Sequence, residues 1–390
     1  MNNKILIKKL SGNIEDELKS INFSADYIKT AEKKFLPQTI KIFNLKPAEA
    51  NILKQSCLSL GFDAAVHRDT ITCRCEKSDA ILCGSTSQFL KLCENLKKQP
   101  FRLKTLSEEL QKYLLPKQNY FINGHEFDFS KTYLMGILNV TPDSFSDGGK
   151  NYDTETAVNS ALQMYKDGAA ILDIGGESTR PDAVPVDVQT ECNRILPVIE
   201  KIKKSNKDIL ISVDTIHPET IVKAVEAGAD ILNTVADIKI FESVFDFLKK
   251  HKTPIVVTHS DGIPPKPVLK DFDGDIADNL FRYFAEKIDY LKENGLTENL
   301  FILDVGIGFG KSINDQFELI KRAGEFLSLG YPVLYGISRK SFISKTFGTE
   351  SRDKVSQIYA HHLMMNKINM LRVHDVKAHA NLQIYLSKIM

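Results

Sequence analysis

At 390 residues the chain is long enough for a barrel of the usual ~250 residues plus one smaller domain. Hydrophobic residues at 43 % and charged residues at 26 % place it among folded globular proteins and exclude extended disorder. Lys and Arg (51) balance Asp and Glu (50), so the summed charge offers no general attraction to nucleic acid or to an anionic membrane, and any anion site must be local.

Met1 to Leu10 alternates lysine with short apolar groups and lacks the apolar core and cleavage site of a signal peptide. No segment approaches the ~18 apolar residues that span a bilayer, so a cytoplasmic protein is expected. Cys57, Cys73, Cys75, Cys83, Cys93 and Cys192 suit reduced thiols in such a compartment better than a disulfide framework. Cys73 and Cys75 would share one face of a strand near His67, but a single loose pair falls short of the paired knuckles of a zinc site.

From residue 1 to 115 the pattern is short and mixed. Thr39 to Phe43, Ala64 to Cys73 and Ala80 to Cys83 read as strands, Pro47 to Gly61 and Ser87 to Lys98 as helices, which predicts a small α+β domain without a catalytic constellation. Pro116 to Asn119 reads as a linker into a second domain over residues 116–390. Asn123-Gly124 between apolar flanks predicts a hairpin over Asn119 to Phe129, suited to plugging the bottom of a barrel.

Beyond Thr132, short apolar strands alternate with amphipathic helices, the signature of βα units and a parallel sheet. Eight strands are predicted: Tyr133 to Val140, Ala170 to Gly175, Ile209 to Asp214, Asp230 to Asn233, Pro254 to His259, Leu300 to Asp304, Pro332 to Gly336 and Met370 to His374. Helical patterns such as Glu155 to Asp167, Glu219 to Glu226, Ile276 to Glu293 and Asp353 to Lys367 lie between them, with Gly168, Gly228 and Gly295 as helix ends. The expected fold is therefore an α/β (β/α)8 TIM barrel with a smaller N-terminal α+β domain. An open doubly wound sheet would bring a glycine-rich dinucleotide turn after its first strand, and Asn139-Val-Thr-Pro-Asp is not one.

Nearly every strand ends in a polar residue: Asn139, Glu177, Asp214, Asn233, His259, Asp304, the stretch Ser338 to Lys340, and Arg372 with His374. In a barrel all these ends open on the one face that carries the active site. Arg180, Lys340, Arg372 and His374 suit an anion such as phosphate. Asp214, Asn233 and Asp304 supply acceptors and an amide that match the edge of a heterocycle, because buried carboxylates call for N–H donors. Asp173 and Glu177 are assigned to the barrel interior or to a salt bridge, with Arg339 the suggested partner. His259 reads as a hydrogen-bonded core residue, His361-His362 as part of a helix, and Lys201 to Lys204 as a solvated helix end.

Five segments in order resemble dihydropteroate synthases: Met135-Gly-Ile-Leu-Asn-Val-Thr-Pro-Asp-Ser-Phe-Ser-Asp-Gly-Gly149, Leu172-Asp-Ile-Gly-Gly-Glu-Ser-Thr-Arg-Pro181, Ile211-Ser-Val-Asp-Thr215, Gly306-Ile-Gly-Phe-Gly-Lys311, and Gly336-Ile-Ser-Arg-Lys-Ser-Phe342 with Arg372-Val-His-Asp375. The resemblance covers about Phe127 to the C-terminus and leaves the first hundred residues outside. It implies joining 7,8-dihydropterin-6-ylmethyl diphosphate to 4-aminobenzoate, with release of diphosphate and Mg2+ as cofactor. By the same resemblance Asp214, Asn233, Asp304 and Lys340 would hold the pterin. Arg372, His374 and Asn139 would hold the diphosphate, with Asn139 also a Mg2+ ligand. Thr179, Arg180, Pro181, Phe309 and Ser338 would border the aminobenzoate. A homodimer through the barrel is implied as well.

Four positions depart from the family pattern: Val305 stands where proline is usual, Thr234 where aspartate is, Thr258 where methionine is, and Asp182 where glycine is. Two rival readings are a methyltetrahydrofolate-type methyltransferase, which needs no diphosphate clamp, and a non-catalytic pterin-binding or regulatory protein.

Overall fold

The structure is a computed structural model that describes residues 7–10, 13–115, 119–141, 150–177, 185–261, 272 and 274–388. The chain forms two compact units, Met1–Lys117 and Gln118–Met390.

The first unit holds a three-stranded antiparallel sheet of β1 (Pro37–Leu45), β2 (Asp63–Val66) and β3 (Ser78–Ser85) in the order β1-β3-β2. Along β3 buried and accessible positions alternate, so Ala80 and Leu82 face a core with Leu53, Phe89, Leu92 and Leu103. The helix Pro47–Ser59 starts where Pro47 needs no amide partner and where Glu49 accepts from the Lys46 amide at 2.8 Å. Glu49 is also bonded by Arg102 at 2.6 and 2.9 Å, and these bonds hold its carboxyl down at about 2.

The strand predicted over Ala64 to Cys73 is a correction. It ends at Val66, the His67 ring caps a 3-10 turn over Arg68–Thr70, and Cys73 takes a left-handed φ of 54°. Cys73 and Cys75 therefore share no strand face, and among the described residues no cluster of three or more His, Cys, Asp or Glu is placed to hold a metal.

In the second unit, β4 (Asn119–Ile122) and β5 (His125–Asp128) form the hairpin, turning at Asn123-Gly124. Eight parallel strands then close into a barrel: β6 (Tyr133–Asn139), β7 (Ile171–Gly175), β8 (Leu210–Asp214), β9 (Ile231–Thr234), β10 (Ile255–Thr258), β11 (Phe301–Asp304), β12 (Val333–Tyr335) and β13 (Met370–Val373), with β13 returning to β6 through Met370↔Tyr133. Helices cover the outside, and Gly168, Gly228 and Gly295 end three of them with φ of 109°, 111° and 80°.

Tyr120, Ile122 and Phe127 of the hairpin join one apolar cluster with Met135, Ile171, Leu210, Ile231, Val256, Ile302, Leu334 and Met370, one from each barrel strand. These eight are the inward-facing layer at one end of the barrel, and the hairpin stops that end. Inward-facing polar residues of the strands follow beyond this layer, toward the other end.

Candidate active site

Strand side chains alternate in direction, so residues two and four places beyond the apolar layer also face the barrel axis. Those positions hold Asp173, Ser212, Asn233, Thr258, Asp304 and Arg372, and then Asn139 and Asp214 at the strand ends.

Arg372 organises this layer. Its Nε donates to Asp173 at 2.5 Å and its Nη2 to Asp214 at 2.7 Å, while Asn233 Nδ2 donates to the two Asp173 oxygens at 3.0 and 3.2 Å. Burial opposes the guanidinium charge, but the flanking Asp173 and Asp214 carboxylates raise Arg372 above its ordinary value. Burial pushes Asp214 up to about 7, against the pull of Arg372 and with the Asp173 charge adding to the rise. Asp214 Oδ1 is buried and has no hydrogen-bond partner.

The partner suggested for Asp173 and Glu177 is corrected here. Arg339 pairs instead with Asp353 at 2.7 and 3.1 Å, Asp173 is held by Arg372 and Asn233, and Glu177 lies 3.6 Å from His217.

Asp304 ends β11 and accepts from the Gly306 amide at 2.9 Å; burial raises its pKa and that bond opposes the rise. Lys340 Nζ stands 4.2 Å from the Phe309 ring centroid, a cation–π contact. Burial lowers Lys340 to about 8, with Arg372 adding to the fall and Asp304 and Asp214 opposing it. A Cβ on Gly175 would lie 3.6 Å from Asp214 Cβ and 3.8 Å from Asn139 Oδ1, which brings Asn139 to the same mouth. His374 Nδ1 lies 3.0 Å from Ser338 Oγ, coupling the expected diphosphate and aminobenzoate sides. Thr179, Arg180, Pro181 and Asp182 lie outside the described residues.

Lys311 was given no role by the sequence, and it is 3 % exposed. Its Nζ donates at 3.0 Å to the carbonyls of His259, Gly306 and Phe309 and lies 2.9 Å from His259 Nδ1. Burial lowers it to about 7. The ammonium thus ties the loop carrying Phe309 to the end of β10. Gly306 fits this junction because it has φ 65° and because any Cβ there would fall 1.9 Å from the His259 carbonyl oxygen. A lysine after Gly-Phe-Gly carries no local signal of such burial.

The pterin binding enzyme family matches residues 135–374. A dihydropteroate synthase of Streptococcus pyogenes is 39 % identical over 261 residues, 66 % of this chain and 95 % of that protein. The chain belongs to the dihydropteroate synthase family. Among solved members, the Xanthomonas albilineans enzyme with 4-aminobenzoic acid superposes with a TM-score of 0.64 at 34 % identity, over 70 % of this chain and 98 % of that one. The same enzyme in complex with 7,8-dihydropteroate gives 0.61 at 32 % identity, with the same coverage. A Halobacterium salinarum protein, described as a probable bifunctional folylpolyglutamate synthase/dihydropteroate synthase, is 38 % identical over 329 residues. That match takes in 84 % of this chain, more than the barrel unit supplies, and this chain spans 40 % of the longer protein. Among the described residues no helix is long and apolar enough to cross a membrane.

Proposed function

We propose that the barrel mouth condenses 7,8-dihydropterin-6-ylmethyl diphosphate with 4-aminobenzoate to give 7,8-dihydropteroate and diphosphate, the transferase reaction of dihydropteroate synthases. The observation that carries the reading is Asp214: one carboxylate oxygen is taken by Arg372 and the other is buried without a partner, an arrangement suited to N–H donors of a heterocycle.

In this reading Asp214, Asn233, Asp304 and Lys340 bind the pterin. Arg372 and His374, with Asn139, bind the diphosphate. Phe309 and Ser338, with Thr179, Arg180 and Pro181, border the aminobenzoate. The C–O bond at the pterin methylene breaks first, its electron pair leaving with diphosphate and the positive charge spreading into the ring. The aniline nitrogen then forms the C–N bond and gives up one proton to solvent. No protein nucleophile is required; preorganised charges placed where charge develops lower the barrier. The clamp cations stabilise the departing oxygen, while Phe309 and Lys340 wall the space in which the two substrates meet.

Asn139 offers one oxygen donor at the mouth, which fits Mg2+, an ion commonly held by one or two protein groups and completed by substrate phosphates and water. When bound, Mg2+ supplies charge stabilisation for the diphosphate.

We further infer a homodimer, supported by the apolar residues exposed on two packed helices: Ile358 and Met365 on Arg352–Met365, Ile384 and Tyr385 on Val376–Leu386. A cytoplasmic setting and a separate domain over residues 1–115 complete the reading. Incubating the full chain with both substrates and Mg2+ tests it: dihydropteroate and diphosphate are expected in equal amounts, whereas ring binding without turnover contradicts it and favours the non-catalytic alternative.

A further inference from the structure

Thr258 ends β10, two residues beyond Val256, and the two side chains face the same way. Val256 belongs to the inward apolar layer, so Thr258 points into the barrel one layer higher, in register with Asp304 on the neighbouring β11. The residue is 3 % exposed and its Oγ1 is buried without a hydrogen-bond partner. A hydroxyl withheld from water and left unbonded is costly, and a valine of the same shape would avoid that cost. Its place beside the proposed pterin cradle accounts for keeping it.

We propose that Thr258 is a specificity-determining residue whose hydroxyl hydrogen-bonds the pterin ring beside Asp304. The inference rests on the functional reading above. The carboxylates of Asp214 and Asp304 accept when ionised, Lys340 only donates, and Asn233 spends its N–H groups on Asp173, whereas a threonine hydroxyl both donates and accepts. It therefore fits the part of a heterocycle edge where ring N–H gives way to a ring nitrogen or carbonyl. A thioether in its place supplies contact and polarisability with only a weak acceptor.

The test uses the full chain, its Thr258→Val and Thr258→Ser variants, and a phosphate-free pterin as probe. Thr258→Val should keep or raise the melting temperature of the ligand-free protein, because it removes an unbonded hydroxyl. It should weaken pterin binding about five- to thirtyfold, the range for one hydrogen bond to a buried partner, and leave KM for 4-aminobenzoate unchanged. Thr258→Ser should restore binding to within about threefold. Unaltered pterin binding by Thr258→Val overturns the proposal, as does a lowered melting temperature, which would reveal a structural partner. No pterin binding by the unsubstituted chain overturns the functional reading and this proposal with it.

Discussion

Arg372 Nη2 donates to Asp214 at 2.7 Å while Nε of the same guanidinium holds Asp173 at 2.5 Å. Carboxylates from β7 and β8 thus share one cation from β13, and the proposed anion clamp and pterin cradle meet at a single side chain. Removing one member of a buried pair leaves uncompensated charge, at a cost of about 3–5 kcal/mol. Arg372→Gln should lower the melting temperature, raise KM for the diphosphate substrate and lower kcat together. Asp173→Asn added to it should recover part of the stability. Calorimetry and steady-state kinetics check both, and a variant unchanged in either contradicts the assignment.

The pH dependence has a definite sign. Asp214 is raised to about 7, so the folded state holds this proton more tightly than the unfolded state does. Its contribution to stability is full below the ordinary aspartate range and is lost as pH rises through about 7. Lys340 is lowered to about 8, and its contribution is present above the ordinary lysine value and lost as pH falls through about 8. In the proposed site, pterin binding needs ionised Asp214 and charged Lys340. Affinity for a phosphate-free pterin should therefore fall below about pH 7 and above about pH 8, as titration calorimetry across pH would record.

Lys311 and Gly306 form one junction. Lys311→Met strands the His259, Gly306 and Phe309 carbonyls, each an unpaired buried acceptor worth about 1–3 kcal/mol. Both Lys311→Met and Gly306→Ala should lower thermal stability, and both should raise KM for 4-aminobenzoate through displacement of Phe309. A Gly306→Ala protein with native stability would contradict the 1.9 Å contact.

Much of this fold is legible in the sequence, for physical reasons. The barrel strands are short apolar runs whose partners are their neighbours in order, so pattern alone predicts the closed sheet, and helix ends at Gly168, Gly228 and Gly295 follow from positive φ. Alternation along the strands likewise turns Asn139, Asp214, Asn233, Asp304 and Arg372 inward beyond the apolar layer. Partners within that mouth are less legible: alternation turns Asp173 inward but cannot tell Arg372, 199 residues away, from Arg339. Lys311 and the turn after Val66 were missed because burial of an ammonium and a left-handed Cys73 are decided by tertiary contacts. The helices Ile28–Phe35 and Leu103–Leu114 are not legible in the sequence either; each buries only two or three residues.

Asn139→Ala should raise the Mg2+ concentration needed for half-maximal turnover and leave binding of a phosphate-free pterin unchanged, because an ion held by Asn139 would act on the diphosphate and not on the ring. An unchanged Mg2+ requirement would remove Asn139 from the metal site.

Asp214 is proposed to read the pterin ring, and calorimetric titration of a phosphate-free pterin into the full chain and its Asp214→Asn variant measures this. Binding by the unsubstituted chain is expected, with a loss of about a hundredfold or more in the variant, because Arg372 takes the one remaining amide oxygen and the amide N–H then meets ring N–H. Equal affinity in a folded Asp214→Asn protein would contradict it.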